Sequence, residues 1–472
     1  MKPLNRLLPL VAALVLAGCA TALPSLPPAV DTPPQFKEQL RQNEHWTIAQ
    51  PAEAQSRGTW WKAFNDPVLD ELVERAGAGN TGIQEAAARL AQARALVRSA
   101  GADRTPQIGL GAAADRGTGT STANGSSPGT LLQTGVNLSY ELDLFGRLSR
   151  TQDAATLDAQ SREALLQSTR LLVQAEVAQT YLALRATDTE RALMNDTATA
   201  YADTLHLTQR RFDAGDVAEL DVIRIQTELA ATEAEVFALD RARAELEHAL
   251  AVLLGEPASG FALTPDTGAR TLPVIPAGVP ATVLARRPDV AAAQASLLSA
   301  QARVGVAQAA WFPSVSLTGA AGFASPELGD LFKWSARAWG VGALMSLPLF
   351  DGGRREAGVQ GAQAQFDAAA AQYRGQVLNA LREVEDQLAA LRLLHEQSLA
   401  QGRAVSAAQR ASAISETRYR NGLVSQLELL DARRNELLNR RQAQRVQAAQ
   451  QQATVRLVRA IGGGWDTASA QL

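Results

Sequence analysis

The chain has 472 residues and a net charge of −3 at pH 7, from 45 Lys and Arg against 48 Asp and Glu. This near balance gives no electrostatic reason to expect nucleic acid as a partner. The single cysteine excludes an internal disulfide bond and any metal site built on several thiolates.

The N-terminus has the pattern of a bacterial export signal. Lys2 and Arg6 precede a short apolar run, 7–16, which is followed by the sequence LAGC at 16–19. The run is too short to span a membrane, and small residues before a cleavage point are typical of a signal peptide. The cysteine resembles that of a lipobox, so we expect residues 1–18 to be removed and Cys19 to carry diacylglycerol and an acyl chain. Alanine at position 20 favours sorting to the outer membrane.

Sequence motifs recur at one constant offset of 207 positions. Pro106 aligns with Pro313, Gly215 with Gly422, and the pair LG at 254–255 with IG at 461–462. An offset that holds over roughly 150 residues predicts two copies of one structural unit.

Each copy predicts the same order of elements. The first copy, 65–255, contains a helix at 67–102, a β-hairpin at 105–145, a long helix at 149–213 and a shorter helix at 218–254. The second copy, 286–462, contains a helix at 288–310, a β-hairpin at 311–350, a long helix at 354–420 and a shorter helix at 425–461. Segment 19–64 is predicted to be extended, 256–285 to link the copies, and 463–472 to be a tail. Ser149 and Asp351 are predicted N-caps of the long helices.

The strands are two-sided. In VNLSYELDLFGR (136–147), apolar residues alternate without a miss with Asn137, Ser139, Glu141 and Asp143, which is the period of a β-strand. Beyond the N-terminus no apolar run approaches the length of a spanning helix, so crossing a membrane would require a closed β-barrel. Four strands are too few, and the edges would have to pair with other chains, in a dimer of eight strands or a trimer of twelve. A small soluble sheet packed on a core is the alternative.

Several segments together resemble the TolC-like outer membrane factor family, in its lipoprotein branch that serves multidrug efflux pumps. They are WWKAFNDPVLDELVERA, the pair RRFDAGDVAELD and RYRNGLVSQLELLD, and the corners LDLFGR and LPLFDGGR. The resemblance implies a mainly α fold with a small β part. It implies a homotrimer, in which a 12-stranded outer-membrane β-barrel continues into a 12-helix periplasmic α-barrel. The implied partners are a periplasmic adaptor, an inner-membrane pump and outer-membrane lipid.

The family closes its tunnel at the periplasmic helix breaks, which here contain Gly215 and Gly422. By the resemblance, Glu428 and Asp431 match an acid ring of two carboxylates on one helical face, and Asp221 and Tyr419 match gate residues. The arginine expected two residues past the second glycine is replaced by Val424. Arg224 aligns with Asp431 at the repeat offset and offers a substitute gate ion pair.

The sequence therefore predicts an exit duct of a tripartite efflux system in the bacterial outer membrane, anchored by lipid and extending into the periplasm. The alternatives are the exit duct of a protein or peptide secretion system and a non-conducting lipid-anchored helical spacer. An enzyme is not expected, because the four histidines fit no metal-ligand spacing and no phosphate-binding loop is present. We expect no cofactor other than the lipid on Cys19. The sequence does not identify the transported substrates.

Overall fold

The computed structural model describes residues 23–28, 30–38, 58–118, 128–268, 272–273, 275 and 280–463. It is mostly helical, with one small sheet. The helices are α1 (Pro67–Gly79), α2 (Thr81–Ala102), α3 (Arg147–Asp213), α4 (Glu219–Leu254), α5 (Pro280–Arg286), α6 (Pro288–Ala309), α7 (Arg354–Arg420) and α8 (Gln426–Ala460). The strands are β1 (Gln107–Thr118), β2 (Pro128–Leu142), β3 (Ser314–Ser325) and β4 (Arg337–Ser346). The signal segment 1–18, Cys19 and the tail from 464 onward lie outside the described residues.

The long helices α3 and α7 have 67 residues each, and they begin at Arg147 and Arg354, 207 positions apart. Both strand hairpins and both shorter helices also occur in the predicted order. Among the described residues, none of the helices is both long and apolar enough to cross a membrane.

The predicted single helix at 67–102 is wrong, because the chain breaks at Asn80 between α1 and α2. The side-chain oxygen of Asn80 accepts a hydrogen bond from the Ile83 N–H at 3.1 Å, and its amide group donates to the Leu253 carbonyl at 2.8 Å. The backbones at this crossing are close, since a Cβ on Gly79 would lie 2.3 Å from the Leu254 carbonyl oxygen. The break is therefore fixed by a tertiary contact with the end of α4.

The second copy has the same crossing with different chemistry. Arg287 lies between α5 and α6, at the position equivalent to Asn80, and donates to the Ala460 carbonyl at 2.8 Å. Its guanidinium group is buried and also pairs with Asp289 at 2.6 Å and Glu383 at 2.9 Å. A neutral amide in one copy is thus replaced by a buried, fully paired charge in the other.

The described chain divides into two compact units. Unit 1 contains residues up to Ala29, Ala88–Ala164 and Ala292–Gly375, including the whole sheet. Its helical part packs around Leu297, Val304 and Phe366. Small residues there allow close helix contacts, as where the Ser299 hydroxyl donates to the Ala154 carbonyl at 3.1 Å.

Unit 2 contains Val30–Ala87, Leu165–Ala291 and Gln376–Leu472. Asp66 caps α1 by accepting from the Val68 and Leu69 N–H groups, and the Tyr181 hydroxyl donates to the same carboxylate at 2.7 Å. This contact holds the segment WWKAF (60–64), whose Trp and Phe rings are buried, beside α3.

The linker after α4 is held within unit 2 by a buried ion cluster. Asp188, almost fully buried, accepts from Arg185 at 3.0 Å and Arg243 at 2.7 Å. Arg185 also donates to the Thr264 carbonyl at 2.6 Å, and the Leu263 N–H donates to Glu247. These bonds fix the first part of segment 256–285 to α3 and α4.

The sheet is antiparallel, in the order β1–β2–β3–β4. Its registers place residues of like character in rows across the four strands. One face carries the rows Gln107/Ser139/Thr318/Gly342, Gly109/Asn137/Ala320/Gly340 and Gly111/Gly135/Gly322/Ala338. The other face carries the rows Ile108/Leu138/Gly319/Val341 and Leu110/Val136/Ala321/Trp339. The first face is small or polar and the second is apolar.

The small-residue face is concave. A Cβ on Gly322 would lie 2.1 Å from the Thr134 carbonyl oxygen and 2.5 Å from the Gly135 Cα, so the strands close toward each other on this side. On the apolar face, a Cβ on Gly319 would meet nothing nearer than Leu138 Cβ at 3.7 Å. A depression of about 370 Å³ lies over the glycine and alanine rows. We refer to these as the concave face and the convex face.

The corners between strand and long helix differ in part from the prediction. β2 ends at Leu142, so Asp143 and Leu144 lie outside the strand. The Asp143 carboxylate accepts from the Leu148 and Ser149 N–H groups, and the predicted cap Ser149 is already inside α3. Burial by itself raises the pKa of Asp143, but these hydrogen bonds outweigh it and the pKa is lowered. In the second copy Asp351 accepts from the Gly353 and Arg355 N–H groups, as expected of a residue that caps α7.

Candidate gate at the two helix turns

Two turns in unit 2 join the long helices to the shorter ones, α3 to α4 and α7 to α8. Both are built on a glycine with positive φ, 80° at Gly215 and 70° at Gly422. In the first, the Asp216 N–H donates to the Arg211 carbonyl at 2.8 Å, and in the second the Leu423 N–H donates to the Arg418 carbonyl at 2.8 Å. This is the Schellman arrangement, in which a left-handed residue ends a helix. Both predicted helix breaks are therefore where the sequence indicated.

Tyr419, at the end of α7, contacts the other turn. Arg211, at the end of α3, donates to the Tyr419 hydroxyl at 3.2 Å, and its guanidinium group lies 5.9 Å from the centre of the tyrosine ring. The side chain thus receives a hydrogen bond and a cation–π contact from the same arginine. Arg211 was not predicted as a site residue, although its equivalence to Arg418 at the repeat offset was a usable signal.

Asp221 and Arg224 form a pair within the first turn of α4, with 3.4 Å between carboxylate and guanidinium. The Asp221 carbonyl accepts a long hydrogen bond from the Gln426 side chain, which also donates to the Thr208 hydroxyl. Gln426 is 4% exposed, and its side-chain oxygen has no partner within the described part of the chain. A buried amide therefore connects the start of α8 to α3 and α4.

Glu428 and Asp431 lie one helical turn apart on α8, and both carboxylates are more than half exposed. In the described part of the chain, Glu428 pairs with Arg418 at 3.9 Å and Asp431 pairs with Arg434 at 3.8 Å, both at the limit of an ion pair. Their placement on one face agrees with the predicted spacing. Whether they form a ring depends on further copies of the chain and stays a prediction.

The expected pair between Arg224 and Asp431 does not occur within the described chain, because each residue pairs with a neighbour on its own helix. A contact between protomers remains a prediction. Val424 leaves the second turn without the family's arginine.

Beyond the turns, arginines of α8 bind α4 and α7. Arg434 contacts Glu228, and Arg441, seven residues later, contacts Glu235 at 3.1 Å. Arg433 contacts Glu416 at 3.3 Å. Burial by itself raises the pKa of Glu416, but the charges and hydrogen bonds of Arg433 and Arg420 outweigh it and the pKa is lowered.

An apolar cluster of Tyr201, Ile225 and Leu430 lies beneath these ion pairs. Burial raises the pKa of Tyr201 despite the nearby charges of Arg433 and Arg434. The site thus consists of two polar turns held on an apolar base, and it contains the tyrosine, acids and glycines predicted from sequence.

This fold is that of the channel component of bacterial efflux systems. A family model described as "Outer membrane efflux protein" matches residues 72–256 and 279–463, two segments that begin 207 positions apart. The chain belongs to the outer membrane efflux protein family.

Curated relatives agree over nearly the whole chain. It is 30% identical over 464 residues to the cation efflux system protein CusC of Escherichia coli O6:H1, covering 98% of this chain and 99% of that protein. It is 34% identical over 413 residues to the outer membrane protein OprJ of Pseudomonas aeruginosa, covering 86% of each.

Solved structures show the same fold. The outer-membrane channel OprN has a TM-score of 0.85 at 33% identity, covering 94% of this chain and 99% of that one. A crystal structure of CusC has a TM-score of 0.82 at 26% identity, covering 94% and 100%. The protein is therefore an outer membrane efflux channel that extends into the periplasm, and not an enzyme.

Proposed function

We propose that three copies of this chain form the exit duct of a tripartite efflux system, in which a 12-stranded barrel opens into a tunnel of 12 helices. The observation that carries the proposal is the sheet. Its outer strands β1 and β4 each have an edge with no partner strand among the described residues, and its concave face is lined by small residues. Four strands per chain close into a barrel with an open bore only when several chains contribute.

The bounds of the two repeats are part of the same proposal. The first repeat is 65–255 and the second is 286–462, joined by the linker 256–285. Helices α3 and α7 have the same length and begin 207 positions apart, which supports this division. Each repeat then supplies one hairpin to the barrel and two long helical paths to the tunnel.

A lipid anchor at Cys19 fits the position of the residues that follow it. In unit 1 the Pro24 carbonyl accepts from Gln301 at 2.7 Å, and Leu23 lies so close to Gly305 that a Cβ there would meet it at 2.8 Å. Leu23 is four positions after Cys19, a reach of at most about 14 Å. Gly305 is on α6, shortly before β3, so the acyl chains would enter the membrane beside the barrel. No other cofactor is proposed.

The partners in this proposal are a periplasmic adaptor, an inner-membrane pump and outer-membrane lipid, with no role for nucleic acid. The cargo stays open. Relatives of similar identity are named for a cation, as in CusC, and for toluene, as in TtgC of Pseudomonas putida. The efflux class follows from the relatives, whereas the cargo depends on the partner pump.

Planar-bilayer recording of the purified protein tests the duct. We expect a heat-modifiable trimer that conducts ions, whereas a helical spacer would not conduct. Absence of both the trimer and conductance from correctly folded, lipidated protein would rule out the proposal.

The proposed acid ring predicts a specific change in ion selectivity. Asp431→Asn removes three exposed charges from the mouth of a trimer, so we expect a lower cation preference measured from reversal potentials in a salt gradient. Asp431→Glu keeps the charge and is the matched control. An unchanged reversal potential in Asp431→Asn would remove Asp431 from the ion path without affecting the duct itself.

A further inference from the structure

The segment between β3 and β4, residues 326–336, has an unusual surface, and we refer to it as the β3–β4 loop. Leu328, Phe332 and Trp334 are 73%, 72% and 73% exposed. Three large apolar side chains so close together are rarely left in water without an interaction partner. The same loop carries Lys333, and Arg337 begins the next strand.

The strand register shows which side of the sheet the loop covers. Phe323 pairs with Arg337 across β3 and β4, and Phe323 pairs with Thr134 across β2 and β3. This row lies on the convex face. Along the strands it is the next convex row after the one that ends at Trp339. Because β3 follows α6 and β4 leads to α7, the row is at the end of the strands away from the helices.

Both aromatic rings of the loop contact this row. The Phe332 ring meets the Phe323 ring edge-on, with 5.8 Å between centroids. The Arg337 guanidinium group lies 3.9 Å from the centre of the Trp334 ring. The loop therefore folds over the convex side of the sheet and not over the concave side.

The two cations of this surface differ in whether a carboxylate of the chain already binds them. Lys333 is paired with Asp330 at 2.5 Å. Arg337 forms no ion pair with any carboxylate in the described ranges of the chain, and it is exposed. A guanidinium group over an indole ring keeps its charge and can still donate to a planar or tetrahedral oxyanion.

We propose that Arg337 and Trp334, with Phe332, form a binding site for the phosphate-bearing headgroup of a lipid in the outer leaflet. The proposal rests on the proposed barrel, because it requires the convex face to meet lipid. In it, Arg337 binds the phosphate, and Trp334 and Phe332 contact the first carbons of the acyl chains. The chains continue from this row toward the next convex row, which ends at Trp339, and Trp339 is itself 79% exposed. An arginine and a tryptophan at the headgroup level are typical of membrane interfaces.

Quenching of Trp334 fluorescence by brominated lipids tests this site. Purified full-length trimer is placed in phosphatidylcholine nanodiscs containing the same mole fraction of either brominated phosphatidic acid or brominated phosphatidylcholine. The Trp334 signal is the difference between wild type and Trp334→Phe. We expect the phosphatidic acid to quench it about two- to fivefold more strongly, as a single exposed ion pair would give.

Arg337→Gln should bring this ratio to near one. Arg116→Gln is the matched control, because Arg116 pairs with Thr130 on the same face at the same end of the sheet. The proposal is overturned if the wild-type ratio is one, or if both variants lower it equally. It is also overturned if inorganic phosphate abolishes the preference, since the site would then bind free phosphate.

Native mass spectrometry of lipid retained by wild type and Arg337→Gln gives a second measurement that needs no tryptophan variant. Loss of phosphatidic acid retention in Arg337→Gln is expected, and equal retention contradicts the site. Conductance is recorded for the same samples. A conducting wild-type trimer without lipid preference overturns this site alone, whereas the absence of trimer and conductance overturns the duct.

Discussion

At the scale of single residues, the contact between Arg211 and Tyr419 joins the two turns of the candidate gate. It is a hydrogen bond of 3.2 Å combined with a ring contact, both from an arginine at the end of the neighbouring long helix. The sequence identified Tyr419 by family resemblance, but not its partner. Only the folded chain brings position 211 and position 419 together, because they are far apart in sequence.

Tyr419→Phe removes the hydrogen bond and keeps the ring. A hydrogen bond of this kind contributes about 0.5–1.5 kcal/mol, so we expect the ratio of open to closed channels to rise about two- to tenfold. Single-channel recording measures it. Tyr419→Ala, which also removes the ring contact, should raise the ratio further, and equal behaviour of wild type and Tyr419→Phe would mean that the hydroxyl does not hold the turns.

Asp289 predicts a pH dependence of stability. Burial by itself raises its pKa, but the hydrogen bonds and charge of Arg287 outweigh burial and hold the pKa below its ordinary value of 3.8. A carboxylate with a lowered folded-state pKa stabilises the fold above its unfolded pKa, and this contribution is lost as the pH falls through the folded value. We therefore expect destabilisation to begin near pH 4.

Thermal unfolding midpoints from about pH 6 to pH 3 measure this effect. Asp289→Asn should lower the midpoint at neutral pH and flatten the profile. Asp386→Asn is the control, because Asp386 forms an exposed pair with Arg382 and surface pairs contribute little. Parallel profiles for wild type and Asp289→Asn would exclude Asp289 as the titrating group.

At the scale of elements, the sheet and the helix crossings show how backbone approach decides local structure. Glycine pairs occur where two backbone segments of the chain come too close for a side chain. These pairs are Gly135 with Gly322 and Gly79 with Gly255. At the second pair a Cβ on Gly255 would lie 2.2 Å from the Gly79 carbonyl oxygen. These contacts fix the break at Asn80, for which the stretch GAGNTG at 77–82 was a local signal that the predicted single helix left unused.

Gly322→Ala should therefore disturb the sheet, because its Cβ would lie 2.1 Å from a carbonyl oxygen of the next strand. Gly319→Ala, three residues earlier in the same strand, places its Cβ in ordinary contact on the convex face. We expect Gly322→Ala to lower the heat-dissociation temperature of the trimer or its yield in the outer membrane, and Gly319→Ala to leave both near wild type. Equal tolerance of the two would show that the strands can separate at this row.

At the scale of the whole molecule, we expect the two faces of the sheet to be in contact with different surroundings, one with water and one with lipid. Asn137 and Ser139 lie on the concave face, and Leu138 and Tyr140 alternate with them on β2. In a barrel, the concave face meets water and the convex face meets lipid. A soluble sheet would instead bury its apolar face against a protein core.

Single cysteine substitutions at 137, 138, 139 and 140 test this. Cys19 is the only native cysteine, so a lipidated chain presents no competing thiol. A membrane-impermeant thiol reagent should label positions 137 and 139 in the assembled protein and leave 138 and 140 largely unlabelled. Labelling at every position would mean that the convex face is not covered by lipid.

The sequence by itself determined the order of elements, the two helix-ending glycines and the alternation of the strands. These are local properties, since helix and strand periods and the left-handed preference of glycine do not depend on distant residues. The bounds of α7 and the ends of α3 and α4 follow directly from them.

Only the tertiary structure decided which side of the sheet is concave, which contact fixes the break at Asn80 and which residues join the turns. Each of these depends on two segments distant in sequence meeting at a few ångströms, as Gly135 meets Gly322, Asn80 meets Leu253 and Arg211 meets Tyr419. Such approaches depend on packing geometry, which no single stretch of sequence encodes.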